Sequence, residues 1–129
     1  MAEKTKILYI EDNRDQAELV VTVLEYRLGD VEVKVASDGK EGIRKALEWD
    51  PDLILLDLMM PRTDGIEVIH QIRHDSKIGK TPIVVISAWV GPGSQMSRVV
   101  EKAGADAFFS KPVEANQLVN IVARYARQR

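Results

Sequence analysis

The stretch Leu53-Ile54-Leu55-Leu56-Asp57-Leu58-Met59-Met60-Pro61-Arg62-Thr63-Asp64-Gly65 decides the fold of this 129-residue chain. It opens as an uninterrupted apolar run of strand length, presents one carboxylate at Asp57, and breaks into a turn marked by Pro61 and Gly65. A short apolar run bounded by turn signals is the pattern of a strand buried on both faces. Such strands belong to parallel sheets, where functional groups collect just beyond the C-terminal strand ends. Asp57 stands in that position, so the question for the rest of the chain is which other polar groups follow strands.

Upstream, Lys6 to Ile10 reads as a buried strand that stops at Glu11-Asp12-Asn13. Asn13 caps a helix carrying Ala17, Val20, Val21, Leu24 and Leu28 on one stripe, and Gly29 stops it. Val31 to Ala36 alternates apolar and charged residues, the mark of a half-exposed strand at a sheet edge. Ser37-Asp38-Gly39 opens a second helix with Ile43, Ala46 and Leu47 inward, ended by Trp49-Asp50-Pro51.

Downstream, Asp64 caps a third helix with Ile66, Ile69 and Ile72 on one face, and Gly79-Lys80-Thr81-Pro82 turns the chain. Ile83 to Ile86 is a fourth strand, ending at Ser87. A loop from Ala88 to Gly93 leads to a fourth helix with Met96, Val99, Val100 and Ala103 inward, stopped by Gly104. Ala107-Phe108-Phe109 is a short fifth strand, ending at Ser110-Lys111-Pro112. A last helix places Leu118, Ile121, Val122 and Tyr125 on one face. Strand and helix thus alternate five times. That order predicts an α/β fold, a doubly wound parallel sheet covered by helices on both faces and joined by right-handed crossovers. A single domain over 1–129 is expected, with no output domain, linker or low-complexity segment in the chain.

Hydrophobic residues make up 45% of the chain and charged residues 29%, the balance of a globular protein. There is no cysteine, which excludes disulfides, thiolate metal sites and cysteine catalysis. No apolar run approaches the roughly 20 residues needed to cross a bilayer, and the charged N-terminus lacks the apolar core of a signal peptide. Net charge is −2 with no large basic block, so neither direct nucleic-acid binding nor membrane binding is expected. A cytoplasmic location is expected.

Read together, the buried strands end in Glu11 and Asp12, in Asp57, in Ser87 and in Lys111. In a parallel sheet these ends share one edge. Two carboxylates about 4 Å apart at an effective dielectric near 20 repel by roughly 4 kcal/mol, so three need a counter-charge. Lys111 supplies one unit. A hard divalent cation supplies more, and Mg²⁺ takes one or two carboxylates together with waters and phosphate oxygens. The residue types therefore suggest Mg²⁺ beside a phosphate-accepting carboxylate.

Four segments carry a resemblance to a known family: Ile-Leu-Tyr-Ile-Glu-Asp-Asn at 7–13, Leu-Leu-Asp-Leu-Met-Met-Pro-Arg-Thr-Asp-Gly at 55–65, Ser-Ala at 87–88, and Gly-Ala-Asp-Ala-Phe-Phe-Ser-Lys-Pro at 104–112. Any one is weak. All four in order, each at a strand end, resemble a response-regulator receiver domain of two-component signalling, with the CheY-like fold. The resemblance runs from about Lys6 to about Tyr125.

It implies strand order 2-1-3-4-5 with five helices. It implies that Asp57 accepts a phosphoryl group from a sensor histidine kinase or phosphotransfer protein. Asp12, Asp57 and the backbone carbonyl of Met59 would hold Mg²⁺, with Glu11 acting through a metal-bound water. Lys111 would pair with the phosphoryl oxygens, Ser87 would move to bond them, and Phe108 would be the switch aromatic. The Lys111–Pro112 bond would be cis, as X-Pro bonds allow. Helix 4, strand 5 and helix 5 would form the face that reads the state to a downstream protein. A monomer or weak dimer is expected, not an enzyme in the metabolic sense.

Some positions stand apart. Trp89, two residues after Ser87, can restrict water near the pocket or simply pack on its loop. The Val90-Gly91-Pro92-Gly93-Ser94 loop is longer than usual for the family and could serve a partner or be a neutral insertion. Phe108 stands where tyrosine is commoner, and is either the switch or a fixed core residue. His70 and His74 have a metal-binding spacing but read as a solvated helix face. Arg124, Arg127 and Arg129 suit a helix C-terminus.

The alternative within the same fold is a receiver-like interaction module that does not use phosphorylation. An aspartate-nucleophile phosphatase of the haloacid-dehalogenase type needs an acid two residues after the nucleophile, where Met59 stands. A flavodoxin-like cofactor binder needs a phosphate loop where Glu11-Asp12-Asn13-Arg14 stands.

Overall fold

The computed structural model describes residues 3–88 and 94–128. Strands β1 (Thr5–Ile10), β2 (Val31–Ala36), β3 (Leu53–Leu56), β4 (Ile83–Ser87) and β5 (Ala107–Ser110) form one sheet. They alternate with helices α1 (Arg14–Leu28), α2 (Gly39–Trp49), α3 (Gly65–His74), α4 (Gln95–Ala103) and α5 (Ala115–Tyr125). Within this sheet all strand pairs are parallel, in the order β2-β1-β3-β4-β5. The expected fold and strand order are those observed.

Successive residues of a strand point to opposite faces, and that alternation builds two cores. Leu8, Ile10, Ile54, Leu56, Ile83 and Val85 face the α2, α3 and α4 side, where they meet Ala46, Ile69, Ile72 and Val100. Ile7, Tyr9, Leu53, Leu55, Val84 and Ile86 face α1 and α5, where they meet Leu24, Leu118, Ile121 and Val122. Every residue of β3 is fully buried, as an apolar run without alternation requires. On β2 the charged Glu32 and Lys34 are exposed, alternating with buried Val31 and Val33 and half-buried Val35, as an edge strand requires.

The caps are the expected ones. Asn13 accepts from the Gln16 backbone N–H at 3.0 Å. Asp38 caps α2 at Glu41, and Asp64 caps α3 at Ile66 and Glu67. Gly104 ends α4 with φ at 116°, a conformation that favours glycine. Arg73 binds the Gly104 carbonyl at 2.8 Å, the Thr81 carbonyl at 2.6 Å and the Asp106 carboxylate at 3.0 Å, and so fastens the end of α3 to both neighbouring turns.

Three local readings need correction. Val99 is 40% exposed and does not belong to the inner stripe of α4. That helix buries Ser97, Val100 and Ala103, and one residue along a helix turns about 100° away from such a stripe. The turn after Asp57 is made at Pro61 and Arg62, between the antiparallel pairs Met60–Thr63 and Met59–Asp64, with Arg62 at φ 61°. Gly65 begins α3, as the Asp64 cap implies, and a Cβ there would stand 2.6 Å from Leu58 Cδ2. Arg127 lies past α5, and its guanidinium reaches Asp50 at 3.2 Å and Asp52 at 3.5 Å. Arg124 does occupy the last turn of α5. Expectations for Trp89, for Val90 to Gly93 and for Arg129 concern residues outside those described.

Asp52 is 1% exposed, and its carboxylate accepts the Lys6 backbone N–H at 2.8 Å as well as facing Arg127. Asp52→Ala removes the acceptor of that part-buried donor together with the buried partner of Arg127, and is expected to cost about 2–3 kcal/mol in chemical denaturation. Asp50→Asn, at the partly exposed arm of the same pair, should cost less than about 1 kcal/mol. Equal losses from the two variants would contradict this assignment.

Candidate functional site

Three site residues directly follow strands, and each backbone N–H extends a ladder by one step. Glu11 donates to the Ala36 carbonyl at 2.9 Å, Asp57 to Ile10 at 3.1 Å and Lys111 to Ser87 at 3.2 Å. The backbone is therefore held by the sheet where the side chains leave it. They converge on a crevice of about 400 Å³, lined by Glu11, Asp12, Gln16, Asp57, Met59 and Lys111 among others.

Lys111 is the link. Its Nζ donates to Glu11 Oε1 at 2.5 Å, to Gln16 Oε1 at 2.6 Å and to Asp57 Oδ2 at 2.9 Å. Asp57 Oδ1 accepts the Met59 backbone N–H at 3.0 Å. Glu11 Oε2 accepts from the Asn13 backbone at 3.3 Å, and its Oε1 also accepts the Tyr9 hydroxyl at 3.1 Å. Both carboxylates are buried, Glu11 at 2% exposure and Asp57 at 4%, so they depend on these donors for stabilisation that water does not supply.

The titrations follow from the packing. Burial pushes the Glu11 carboxyl upward; the Lys111 hydrogen bond pulls it down and the Asp57 charge pushes it up again, leaving it raised. Burial works against the Lys111 charge, but its hydrogen bonds to Glu11 and Asp57 outweigh that and hold the ammonium above the ordinary lysine range. Burial, then the Glu11 charge, raises the Tyr9 phenol far from ionisation.

Ligand atoms of Glu11, Asp12 and Asp57 lie within 4.8 Å of one another. All are hard oxygen donors, and three carboxylates against one ammonium leave a formal excess of two negative charges. This donor set fits a hard divalent cation. Asp12, the exposed member, stands at the rim, where it would meet a hydrated ion without full desolvation.

The other predicted residues are placed as follows. Ser87 is fully buried at the end of β4, in register with Ser110, and its neighbour Ala88 lines the crevice. Phe108 pairs with Val85 and is half-buried against the α2–α4 core, whereas Phe109 packs on the opposite face, edge-on to Tyr125. The Lys111–Pro112 bond is cis. His70 and His74 are exposed, with His74 Nδ1 2.7 Å from the His70 carbonyl, and among the described residues they gather no third ligand.

Two members of the site escaped sequence reasoning. Tyr9 left a trace, since a phenol in a buried aliphatic strand needs a partner for its hydroxyl. Gln16 left none: it is an exposed helix residue, and its partner is 95 positions away.

A family model for the response regulator receiver domain matches residues 7–123. The chain is 37% identical over 115 residues to the response regulator ArlR of Staphylococcus saprophyticus, covering 89% of this chain and 49% of that protein. It is 40% identical over 117 residues to the transcriptional regulatory protein ResD of Bacillus subtilis, covering 90% and 45%. The chain thus spans about half the length of these curated relatives. Its structure is similar to that of the chemotaxis response regulator CheY4 of Vibrio cholerae, with a TM-score of 0.85, 26% identity, and coverage of 95% of this chain and 98% of that one.

The charge excess has a consequence for stability. In low salt with a chelator present, Asp12→Asn is expected to raise the melting temperature by relieving repulsion. The gain should shrink in concentrated salt, which screens an exposed charge. A lower melting temperature for the variant would show that Asp12 is not held against like charge.

Proposed function

The chain belongs to the response regulator receiver domain family, and on that premise we propose that it is a switch whose Asp57 takes a phosphoryl group from a histidine kinase or phosphotransfer protein. The observation that carries this reading is the single crevice where Asp57, two further carboxylates and the Lys111 ammonium meet. In the transfer, one Asp57 oxygen bonds to phosphorus as the bond from phosphorus to the donor's nitrogen breaks. An acyl phosphate serves in the same way, its oxygen leaving instead.

Asp57 needs no base, because a carboxylate attacks in its ionised form. The Met59 backbone N–H holds Oδ1 at 3.0 Å and fixes the orientation of the group. Lys111, 2.9 Å from Oδ2, supplies positive charge where the transferred oxygens arrive. Asp12, Asp57 and the Met59 carbonyl would hold Mg²⁺, with Glu11 acting through water. When bound, Mg²⁺ neutralises the phosphoryl oxygens and the carboxylate excess.

Ser87, buried at the adjoining strand end, would reorient toward the new group. Phe108 would then repack, and the α4–β5–α5 face would change for a downstream protein. An added phosphoryl group can bias such an equilibrium because it binds the two arrangements unequally. We take the chain as a phosphoacceptor and not a turnover enzyme, acting in the cytoplasm as a monomer or weak dimer without touching nucleic acid itself. Among the described residues no helix is long and apolar enough to cross a membrane.

Incubation with Mg²⁺ and acetyl phosphate, followed by intact-mass measurement, should add one phosphoryl group, with none on Asp57→Asn or when Mg²⁺ is chelated. No addition from acetyl phosphate or from a cognate kinase would sink the reading. Independently, Mg²⁺ should raise the melting temperature by binding the folded site. Asp12→Ala should lose most of that rise, and an undiminished response would contradict the metal assignment.

A further inference from the structure

Lys111 has three N–H donors, and all three are engaged: by Glu11 at 2.5 Å, Gln16 at 2.6 Å and Asp57 at 2.9 Å. A phosphoryl oxygen arriving on Asp57 must therefore displace one acceptor. The three are not equivalent. Glu11 is a buried carboxylate that stays ionised, and its loss of the cation is costly because water cannot replace it; Asp57 gives up its carboxylate charge to the new acyl phosphate, but its oxygens stay beside the ammonium in the same bonded group. Gln16 is a neutral amide on the exposed side of α1, and water can satisfy its carbonyl at once.

We infer that Gln16 is a positioning residue that holds the third Lys111 proton in the unphosphorylated state and yields it to the phosphoryl group. The inference rests on the reading of Asp57 as phosphoacceptor and concerns how that site is regulated. Two facts make Gln16 suited to the task. Its own backbone N–H is fixed by the Asn13 cap at 3.0 Å, so the first turn of α1 sets the position from which its amide reaches Lys111. Gln16 also lines the crevice, together with Asp57, Met59 and Lys111. An acceptor there occupies the third Lys111 proton until a stronger acceptor appears. Its effect is a barrier to phosphoryl uptake that is absent once the group is attached.

The test compares wild type, Gln16→Leu and Gln16→Glu at saturating Mg²⁺. Phosphoryl uptake from acetyl phosphate, and loss after the donor is removed, are both followed by intact mass. Gln16→Leu removes the competing acceptor and should speed uptake about five-fold, the worth of one ordinary hydrogen bond. Gln16→Glu is nearly isosteric but charged, and should slow uptake by a comparable factor. The rate of loss should be unchanged in both, because the contact is already gone in the phosphorylated state. Equal uptake in all three proteins would overturn the inference. So would uptake and loss changing by the same factor, which would indicate altered access to the crevice. If the wild type takes up no phosphoryl group from acetyl phosphate or from a cognate kinase, the phosphoacceptor reading falls and this inference with it; if wild type is phosphorylated on Asp57 and the variants match it, only the inference falls.

Discussion

The bridge from Lys111 to Glu11 and Asp57 is the interaction on which the rest of this structure depends. Two carboxylates with almost no exposure stand at neighbouring strand ends, and one ammonium lies 2.5 Å and 2.9 Å from their oxygens. Isolated in that position, either charge would carry a penalty of several kcal/mol. The sheet makes the arrangement possible. Each of the three residues is fastened through its backbone N–H to the neighbouring strand, so the side chains meet without any loop having to be ordered for the purpose. The two apolar cores then hold the strands at fixed spacing from both sides.

The bridge is also incomplete by design of its charges. The ammonium offsets one of three carboxylates, and the remaining excess lies toward the exposed rim at Asp12. That excess is the feature a hard divalent cation would offset. The donors around Asp57 are a backbone N–H and a lysine side chain, and under the proposed phosphoryl transfer the two would divide the labour. The backbone donor would keep the acceptor oriented while the lysine answered the added group.

Much of this was legible in the sequence. The unbroken Leu53–Leu56 run identified a central strand, the Glu32–Lys34 alternation identified an edge, and the polar residues following the buried strands identified the crevice. Those signals are local, because burial on one face or two writes itself into adjacent residues. What stayed hidden depends on contacts between distant positions. Arg127 could be recognised as a cation near a helix end, but its pairing with Asp50 and Asp52 depends on where the chain goes after Tyr125. Val99 was misassigned because a hydrophobic residue on a short helix satisfies two overlapping stripes, and the packing against the sheet chooses between them. Gln16 entered the site only through the approach of a lysine from the other end of the chain.

The central claim is that the strand ends build one phosphoryl-accepting group, Asp57, and that the neighbouring carboxylates serve it. Borohydride reduces an aspartyl phosphate to homoserine, so reduction of the phosphorylated protein followed by peptide mapping reads the acceptor directly. Homoserine at position 57 alone is the predicted result. Homoserine at position 12, or reduction products spread over several carboxylates, would contradict the account.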